Sequence, residues 1–227
     1  DDVDFLTSFS GSHRYVFDYL AQEVLNHQNA EMRDFIIRSA ILERMSASLC
    51  NAVMARDHSQ AYLSDLERAN LFIVPLDQER RWYRYHHLFG EFLRARLEET
   101  ATAEEITALH LRASAWYAAR DESSEAIHHA LAAADVDRAA RLIEDAVPRM
   151  FRTSELTTVV GWLNRLPESL LQKRPYLSMV MAWAKLALGQ SEEVDQHLQD
   201  VERAIGVQAD GSPASFEHDA AILGILA

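Results

Sequence analysis

Leu71-Phe72-Ile73-Val74-Pro75-Leu76, then Asp77-Gln78-Glu79-Arg80, then Arg81-Trp82-Tyr83-Arg84-Tyr85 is the stretch on which the fold turns. The first run is short, β-branched and aromatic, the middle is polar, and the last alternates aromatic with basic residues. Two strand-like runs around a polar turn predict a β-hairpin, and no other segment gives so clear a β signal. Upstream the apolar residues recur at helical spacing. Ser12 is placed to cap a helix carrying Tyr15, Val16, Tyr19, Leu20 and Val24. Asn29 precedes a second helix with Phe35, Ile36 and Ile37 on its buried face, and a third runs through Leu49, Val53 and Met54. Asp57 or Ser59 caps a fourth, with Tyr62, Leu63 and Leu66 inward and its end near Asn70. Three helices and then a hairpin is the order of a winged helix. Its wing spans residues 71–85, and a further helix begins at His86 with Leu88, Phe89, Phe92, Leu93 and Leu97 inward.

Downstream of Ala103 the pattern is helical in short segments. Ala115-Trp116 echoes Ala182-Trp183, Glu125-Ala126-Ile127 echoes Glu192-Glu193-Val194, and Leu131 echoes Leu198. One offset, about twice a unit of roughly 34 residues, serves every pair, and that unit is the tetratricopeptide period. Such units are antiparallel helix pairs stacked on their neighbours. Ala118, Ala130, Ala133, Ala139 and Ala140 suit close helix approach, and Pro148, Pro167 and Pro175 are expected at helix boundaries. The fold class is therefore mainly α: a winged-helix unit over residues 1–99, then a TPR-like α-superhelical unit over 100–227. The apolar run at residues 220–227 reads as a helix cut along its buried face, so the chain is expected to be part of something longer.

The composition narrows the function. Of 227 residues 48% are hydrophobic and 25% charged, which suits a chain with a sizeable core. Seven Gly and five Pro supply little for an all-β fold. Thirty-five acidic against 22 basic residues give a net charge of −13, which disfavours general binding to nucleic acid. A single cysteine, Cys50, has no internal disulfide partner and reads as buried, and a reducing cytoplasm is its natural setting. No apolar run reaches membrane-spanning length. There is no G-x-x-x-x-G-K-[ST] phosphate loop, no G-x-G-x-x-G and no nucleophile elbow.

Histidine is abundant but poorly spaced for a metal. His86 and His87 are adjacent, as are His128 and His129, so on a helix each pair diverges by about 100° and does not chelate one ion. Glu104-Glu105 and Glu192-Glu193 fall at helix starts, where the helix dipole favours carboxylates. The wing is the one distinctive feature. Arg80, Arg81 and Arg84 cluster on an acidic chain beside Trp82, Tyr83, Tyr85 and His86. They suit contact with a phosphate, a nucleotide or a partner subunit, or simply guard an edge strand against pairing. Trp116, Trp162 and Trp183 read as fillers between stacked helices.

Arg81-Trp82-Tyr83-Arg84-Tyr85-His86-His87-Leu88-Phe89 with Phe92-Leu93-Arg94 resembles the R-[YF]-H-x-L-F-x-x-[FL]-L-R signature of the MalT-like regulators, large ATP-binding transcription factors of the LuxR type. Glu125-Ala126-Ile127-His128-His129-Ala130-Leu131-Ala132-Ala133 is similar to their E-A-I-x-H-A-L-A-A segment. Tyr15–Leu20 and Leu66–Phe72 are similar to earlier family segments. The four stand in family order, and the similarity weakens after about residue 205.

The resemblance implies a signalling ATPase of the STAND class: a nucleotide-binding domain, a helical linker, a winged helix, a helical-repeat sensor and a C-terminal helix-turn-helix that binds DNA. This chain would supply the end of the linker, the winged helix and the first sensor repeats. By itself it is expected to be no enzyme and to hold no cofactor, with ATP and ADP bound by the full-length protein. Its partners would be its own nucleotide-binding domain, an inducer and further copies on activation, with DNA reached only through the helix-turn-helix. The expected location is cytoplasmic, away from membranes. His86, matching the H of R-[YF]-H, is the implied sensor of the ADP phosphate, and Arg84 adds charge. His87 stands where some relatives have proline. A TPR-like protein-binding scaffold and a DNA-binding winged helix are the rival readings.

Overall fold

A computed structural model describes Tyr19 and residues 21–190, residue 154 excepted. The cap at Ser12, the stripe through Tyr15, Val16 and Leu20, and the echo at Glu192–Leu198 lie outside the described residues. The chain divides between Trp116 and Tyr117 into two compact units.

In the first unit, helical residues 21–26 precede α1 (Ala30–Ser39), α2 (Ala47–Met54) and α3 (Ser59–Arg68). The hairpin follows as β1 (Ile73–Pro75) and β2 (Tyr83–Tyr85), then α4 (His87–Thr100) and α5 (Ala103–Ala118). The strands are antiparallel, with Ile73 opposite Tyr85, Val74 opposite Arg84 and Pro75 opposite Tyr83. They are shorter than the apolar runs that predict them. Met45 adds an antiparallel bridge on the other side of β2, its N–H donating to Tyr83 O at 2.7 Å and its carbonyl accepting from Tyr83 N at 2.8 Å. This gives β2 a neighbour on each side.

Four of the ten described helices start at a side chain that caps them: Asn29, Ser46, Thr102 and Asp135. The Asn29 side chain accepts from Met32 N at 2.8 Å, and Ser46 Oγ accepts from Leu49 N at 3.3 Å. Thr102 and Glu105 form a reciprocal capping box at α5: Glu105 N donates to Thr102 Oγ1 at 3.2 Å and Thr102 N to Glu105 Oε2 at 3.0 Å. The α3 start corrects the expected cap. Its N-cap is His58, in a left-handed conformation and without a side-chain bond. The oxygen comes instead from α2, where Asn51 Oδ1 accepts from Ser59 N at 3.0 Å. An acceptor reaching over from the preceding helix makes a local Asp57 or Ser59 cap unnecessary. The core holds Phe35, Ile36, Leu49, Val53, Leu63, Leu66, Tyr83, Phe89 and Leu93, all essentially inaccessible. Burial of each large side chain is worth about 1.5–3 kcal/mol. Cys50 is also fully buried, and burial pushes its thiol up to about 12.

The second unit is a succession of helices: α6 (Ser123–Ala132), α7 (Val136–Arg152), α8 (Leu156–Leu163), the single turn α9 (Glu168–Leu171) and α10 (Pro175–Ala187). Helix α6 packs on α7, α7 on α8, and α10 on both α7 and α8. The stripe Ala139, Ile143, Ala146, Val147 and Met150 at helical spacing is fully buried on α7. Trp162 is buried and Trp183 half-buried, with the Phe151 ring 4.5 Å from Trp183. Pro167 is the N-cap of α9 and Pro175 the first residue of α10. Pro148 is different: it lies inside α7. The helix continues because the buried stripe runs past it to Met150, while the ring faces outward and is exposed. Apolar burial on the far side outweighs the one hydrogen bond a proline removes.

Five of the helix ends share one device. Ala55, Asn70, Asp121, Ala134 and Gly189 are all left-handed, with φ between 51° and 76°. In each case the next residue's N–H reaches back to a carbonyl five residues before it. Arg56 N donates to Asn51 O at 3.1 Å, Leu71 N to Leu66 O at 3.0 Å, Glu122 N to Tyr117 O at 3.1 Å, Asp135 N to Ala130 O at 3.1 Å and Gln190 N to Lys185 O at 2.9 Å. This is the Schellman closure, made here by non-glycine residues at four of the five positions. It explains how a chain with seven glycines turns so often.

Candidate functional site

The wing is organised from its tip. Asp77 accepts from two backbone N–H groups, Arg81 N at 2.8 Å on Oδ1 and Trp82 N at 3.2 Å on Oδ2, and Leu76 N donates to Trp82 O at 2.8 Å. Arg80 sits in this loop with φ 53°, a conformation arginine rarely adopts. Its Nε lies 2.9 Å from Glu67 Oε1, on the last turn of α3. Arg81 pairs with its neighbour Glu79. Two of the three wing arginines are thus already matched to carboxylates.

Strand alternation sets the third apart. Tyr83 and Tyr85 point into the core and Arg84 points out. Both phenols are anchored. The Tyr83 hydroxyl donates to Glu67 Oε2 at 3.2 Å, and the Tyr85 hydroxyl lies 2.8 Å from Ser39 Oγ at the end of α1. Burial, aided by the Glu67 carboxylate, holds the Tyr83 phenol above its ordinary value. Burial pushes Tyr85 much higher. Both therefore stay neutral donors across the physiological range. Arg84, exposed between them, has no ion pair among the described residues.

Next in the chain is His86, the N-cap of α4. Its backbone is fixed at both ends: its N–H donates to Phe72 O at 2.8 Å, and its carbonyl accepts from Gly90 N at 2.9 Å. Its imidazole makes no capping bond, is exposed, and lies 4.5 Å centroid to centroid from the His87 ring. Tyr85 meets Phe89 edge to face at 5.7 Å, Phe89 stacks on Phe92 at 6.2 Å, and Phe72 lies against Phe89 at 5.0 Å. A Cβ placed on Gly90 would lie 3.6 Å from Arg94 Nη1 and 3.7 Å from Tyr85 Cβ, so the Arg94 guanidinium folds back over this turn.

The structure therefore places Arg84 and His86 two residues apart at the strand-to-helix junction, both exposed. Arg94 joins them one to two turns along α4. A histidine and an unpaired guanidinium beside the free N–H groups of a helix start make a donor set suited to a phosphate or carboxylate. Among the described residues no three His, Cys, Asp or Glu are grouped to hold a metal ion. Of the other adjacent pair, His128 is exposed, while His129 is buried and stacks on Tyr117 at 5.6 Å.

Three residues of the wing's surroundings are not found by reading the sequence. Arg44 lies over the Trp82 ring at 4.6 Å, and Trp82 meets Trp116 edge to face at 6.2 Å. Arg94 is visible only as the last letter of a motif. Glu67 looks like an ordinary helix carboxylate. The one signal it gives is its place, since an acidic residue in the last turn of a helix opposes the dipole.

Comparison with known proteins bears on the whole chain. Residues 21–105 match the family described as the MalT winged helix domain. The HTH-type transcriptional regulator MalT of Klebsiella pneumoniae is 35% identical over 205 residues, 90% of this chain and 22% of that protein. MalT of Serratia proteamaculans is 36% identical over 200 residues, 88% of the chain and 22% of its own length. The serine/threonine-protein kinase PknK of Mycobacterium tuberculosis is 31% identical over 206 residues, 91% of the chain and 18% of the kinase. The chain spans about a fifth of the length of these relatives. Residues 21–105 are a MalT winged helix domain, and the chain that carries it is MalT-like.

Proposed function

We propose that this chain is the regulatory part of an ATP-dependent transcription activator, with the winged helix reporting nucleotide state and the helical hairpins beginning an inducer sensor. The observation that carries the reading is the junction of β2 and α4. There an exposed imidazole without a capping bond, His86, and an exposed guanidinium without an ion pair, Arg84, stand on a backbone tied down on either side. That donor set fits the phosphate end of ADP, bound by a nucleotide domain elsewhere in the whole protein. ADP supplies the anionic group, and its presence marks the resting state. His86 and Arg84 hold it by charge-assisted hydrogen bonds, and α4 presents its first N–H groups to the same side. Inducer bound at the hairpins then competes with this contact, through a coupling of a few kcal/mol. Released protein associates with further copies, and DNA is engaged by a helix-turn-helix outside this chain. The chain itself carries no phosphate-loop motif and is no enzyme in this reading. The setting is the cytoplasm.

The test is ADP retention by the whole protein, measured as nucleotide released over time. His86→Ala is expected to lose ADP and to be active without inducer, Arg84→Ala to do so less, and His87→Ala to behave as wild type. Retention unchanged in all three would make His86 structural and favour a helical scaffold that binds a partner peptide.

A second reading rests on the kinase relative. A protein named as a serine/threonine kinase aligns with 91% of this chain, so the same regulatory segment stands beside more than one kind of output. A phosphotransfer assay on the whole protein separates the two: protein phosphorylation would assign the kinase output, and its absence with promoter binding the transcriptional one.

A further inference from the structure

We propose that Glu67 is the positioning residue of the wing, a single carboxylate that sets how Arg84 and His86 are presented; this rests on the nucleotide reading above. Glu67 is mostly buried, with 22% of its side chain exposed, and its two oxygens go to different parts of the hairpin. Oε1 takes the Arg80 guanidinium at 2.9 Å, at the tip of the wing. Oε2 takes the Tyr83 hydroxyl at 3.2 Å, at the first residue of β2. Tyr83 is also the residue whose backbone is shared with Met45.

Three features make this more than a surface ion pair. A carboxylate in the last turn of α3 works against the helix dipole, so its place there is explained by what it holds rather than by the helix. Arg80 is held left-handed at φ 53°, which an arginine tolerates only when its surroundings fix it. And Tyr83 is buried to 1% exposure, so its hydroxyl needs an acceptor inside the structure. Release of Glu67 therefore frees both the tip and the root of β2. Arg84 is the next residue after Tyr83, and His86 begins the helix two residues later. An exposed ion pair alone contributes little; the buried phenol on the second oxygen is what turns the pair into a pin.

The experiment uses the whole protein with ADP bound and four forms: Glu67→Ala, Arg80→Gly, the exchange Glu67→Arg with Arg80→Glu, and His86→Ala. Glycine at position 80 keeps the left-handed backbone while removing the ion pair. Glu67→Ala is expected to speed ADP release about three- to tenfold and Arg80→Gly about two- to fivefold, with the melting temperature little changed for Arg80→Gly. The exchange should restore retention only in part, because a guanidinium at position 67 can pair with a carboxylate at position 80 but offers the Tyr83 hydroxyl no acceptor. An exchange as damaging as Glu67→Ala would overturn the Arg80 half of the pin. Hydrogen exchange is read on the same samples, and residues 77–85 should exchange faster in Glu67→Ala than in wild type. If His86→Ala releases ADP while Glu67→Ala and Arg80→Gly retain it, the positioning role is overturned and the nucleotide reading stands. If His86→Ala retains ADP, the nucleotide reading falls, and the presentation of His86 to ADP by Glu67 falls with it. Unchanged hairpin exchange in Glu67→Ala overturns the pin whatever the nucleotide does.

Discussion

Both units have an apolar core, and they differ in how polar contacts are added to it: in the second these centre on Arg174, which pairs with Glu144 and Asp137 of α7. In the first, polar contacts tie one element to another: Tyr85 to Ser39 on α1, Tyr83 to Glu67 on α3, and Arg38 of α1 to Glu105 on α5. Within α1, Arg38 also pairs with Asp34. Arg56 adds a second cation to Asp34. In the second, the core is alanine, isoleucine, valine and leucine with two methionines and one tryptophan, and α7 alone buries Ala139, Ala140, Ile143, Ala146 and Val147. Hydrogen bonds of defined geometry fix orientation, whereas apolar contact mainly fixes distance. The unit that presents Arg84 and His86 is the one built for orientation. The unit of stacked hairpins is built for close approach.

Mutations sharpen that contrast. The largest effect is expected in the apolar unit, where Ile143→Ala removes a fully buried side chain from the middle of α7 and should cost about 2–5 kcal/mol by denaturant unfolding. Next is Ser39→Ala, which strands the buried Tyr85 hydroxyl and should cost about 1–3 kcal/mol. Tyr85→Phe should cost less than Ser39→Ala, because Ser39 keeps its bond to Ile36 O at 3.2 Å. Equal losses would mean that the phenol finds another acceptor. In the opposite direction, Ala134→Gly should stabilise the α6–α7 turn by about 1 kcal/mol, since glycine takes the φ of 55° without strain. Gly90→Ala should add about 0.5–1 kcal/mol, because the Cβ would make only ordinary contacts.

Acid should also separate the units. For Asp34, burial acts to raise the carboxyl, but the hydrogen bonds and charges of Arg38 and Arg56 prevail and hold it below 3.8. Glu105 is lowered by the Thr102 backbone N–H and then by Arg38. Folded-state values below the unfolded ones mean stability that is present above the unfolded carboxylate range and lost as pH falls through the folded values. Both groups lie in the first unit. Exchange or fluorescence followed from pH 5 downward should show that unit loosening first, and Asp34→Asn should flatten its acid dependence.

Legibility in the sequence follows the same division. Apolar spacing announces α1 to α4 and most of the second unit, because periodicity survives wherever burial is by face. The hairpin is legible from its alternation and its polar turn. The α3 cap is not, because its acceptor, Asn51, comes from another helix. Pro148 misleads because a proline rule is local, while the buried stripe that carries α7 past it is not. At the site, Arg84 and His86 can be named from the R-[YF]-H pattern. Their partners cannot: the pairing of Glu67 with Arg80 and Tyr83 joins residues 13 and 16 positions apart, through side chains with no motif of their own.

Hydrogen exchange on the whole protein with and without bound ADP, read by peptide across both units, bears most directly on the role of the wing-to-helix junction. We predict that ADP slows exchange at residues 84–89 and leaves residues 139–150, in the apolar core of the second unit, unchanged. Protection that is identical at residues 84–89 with and without ADP would contradict the nucleotide-reporting role of His86 and Arg84.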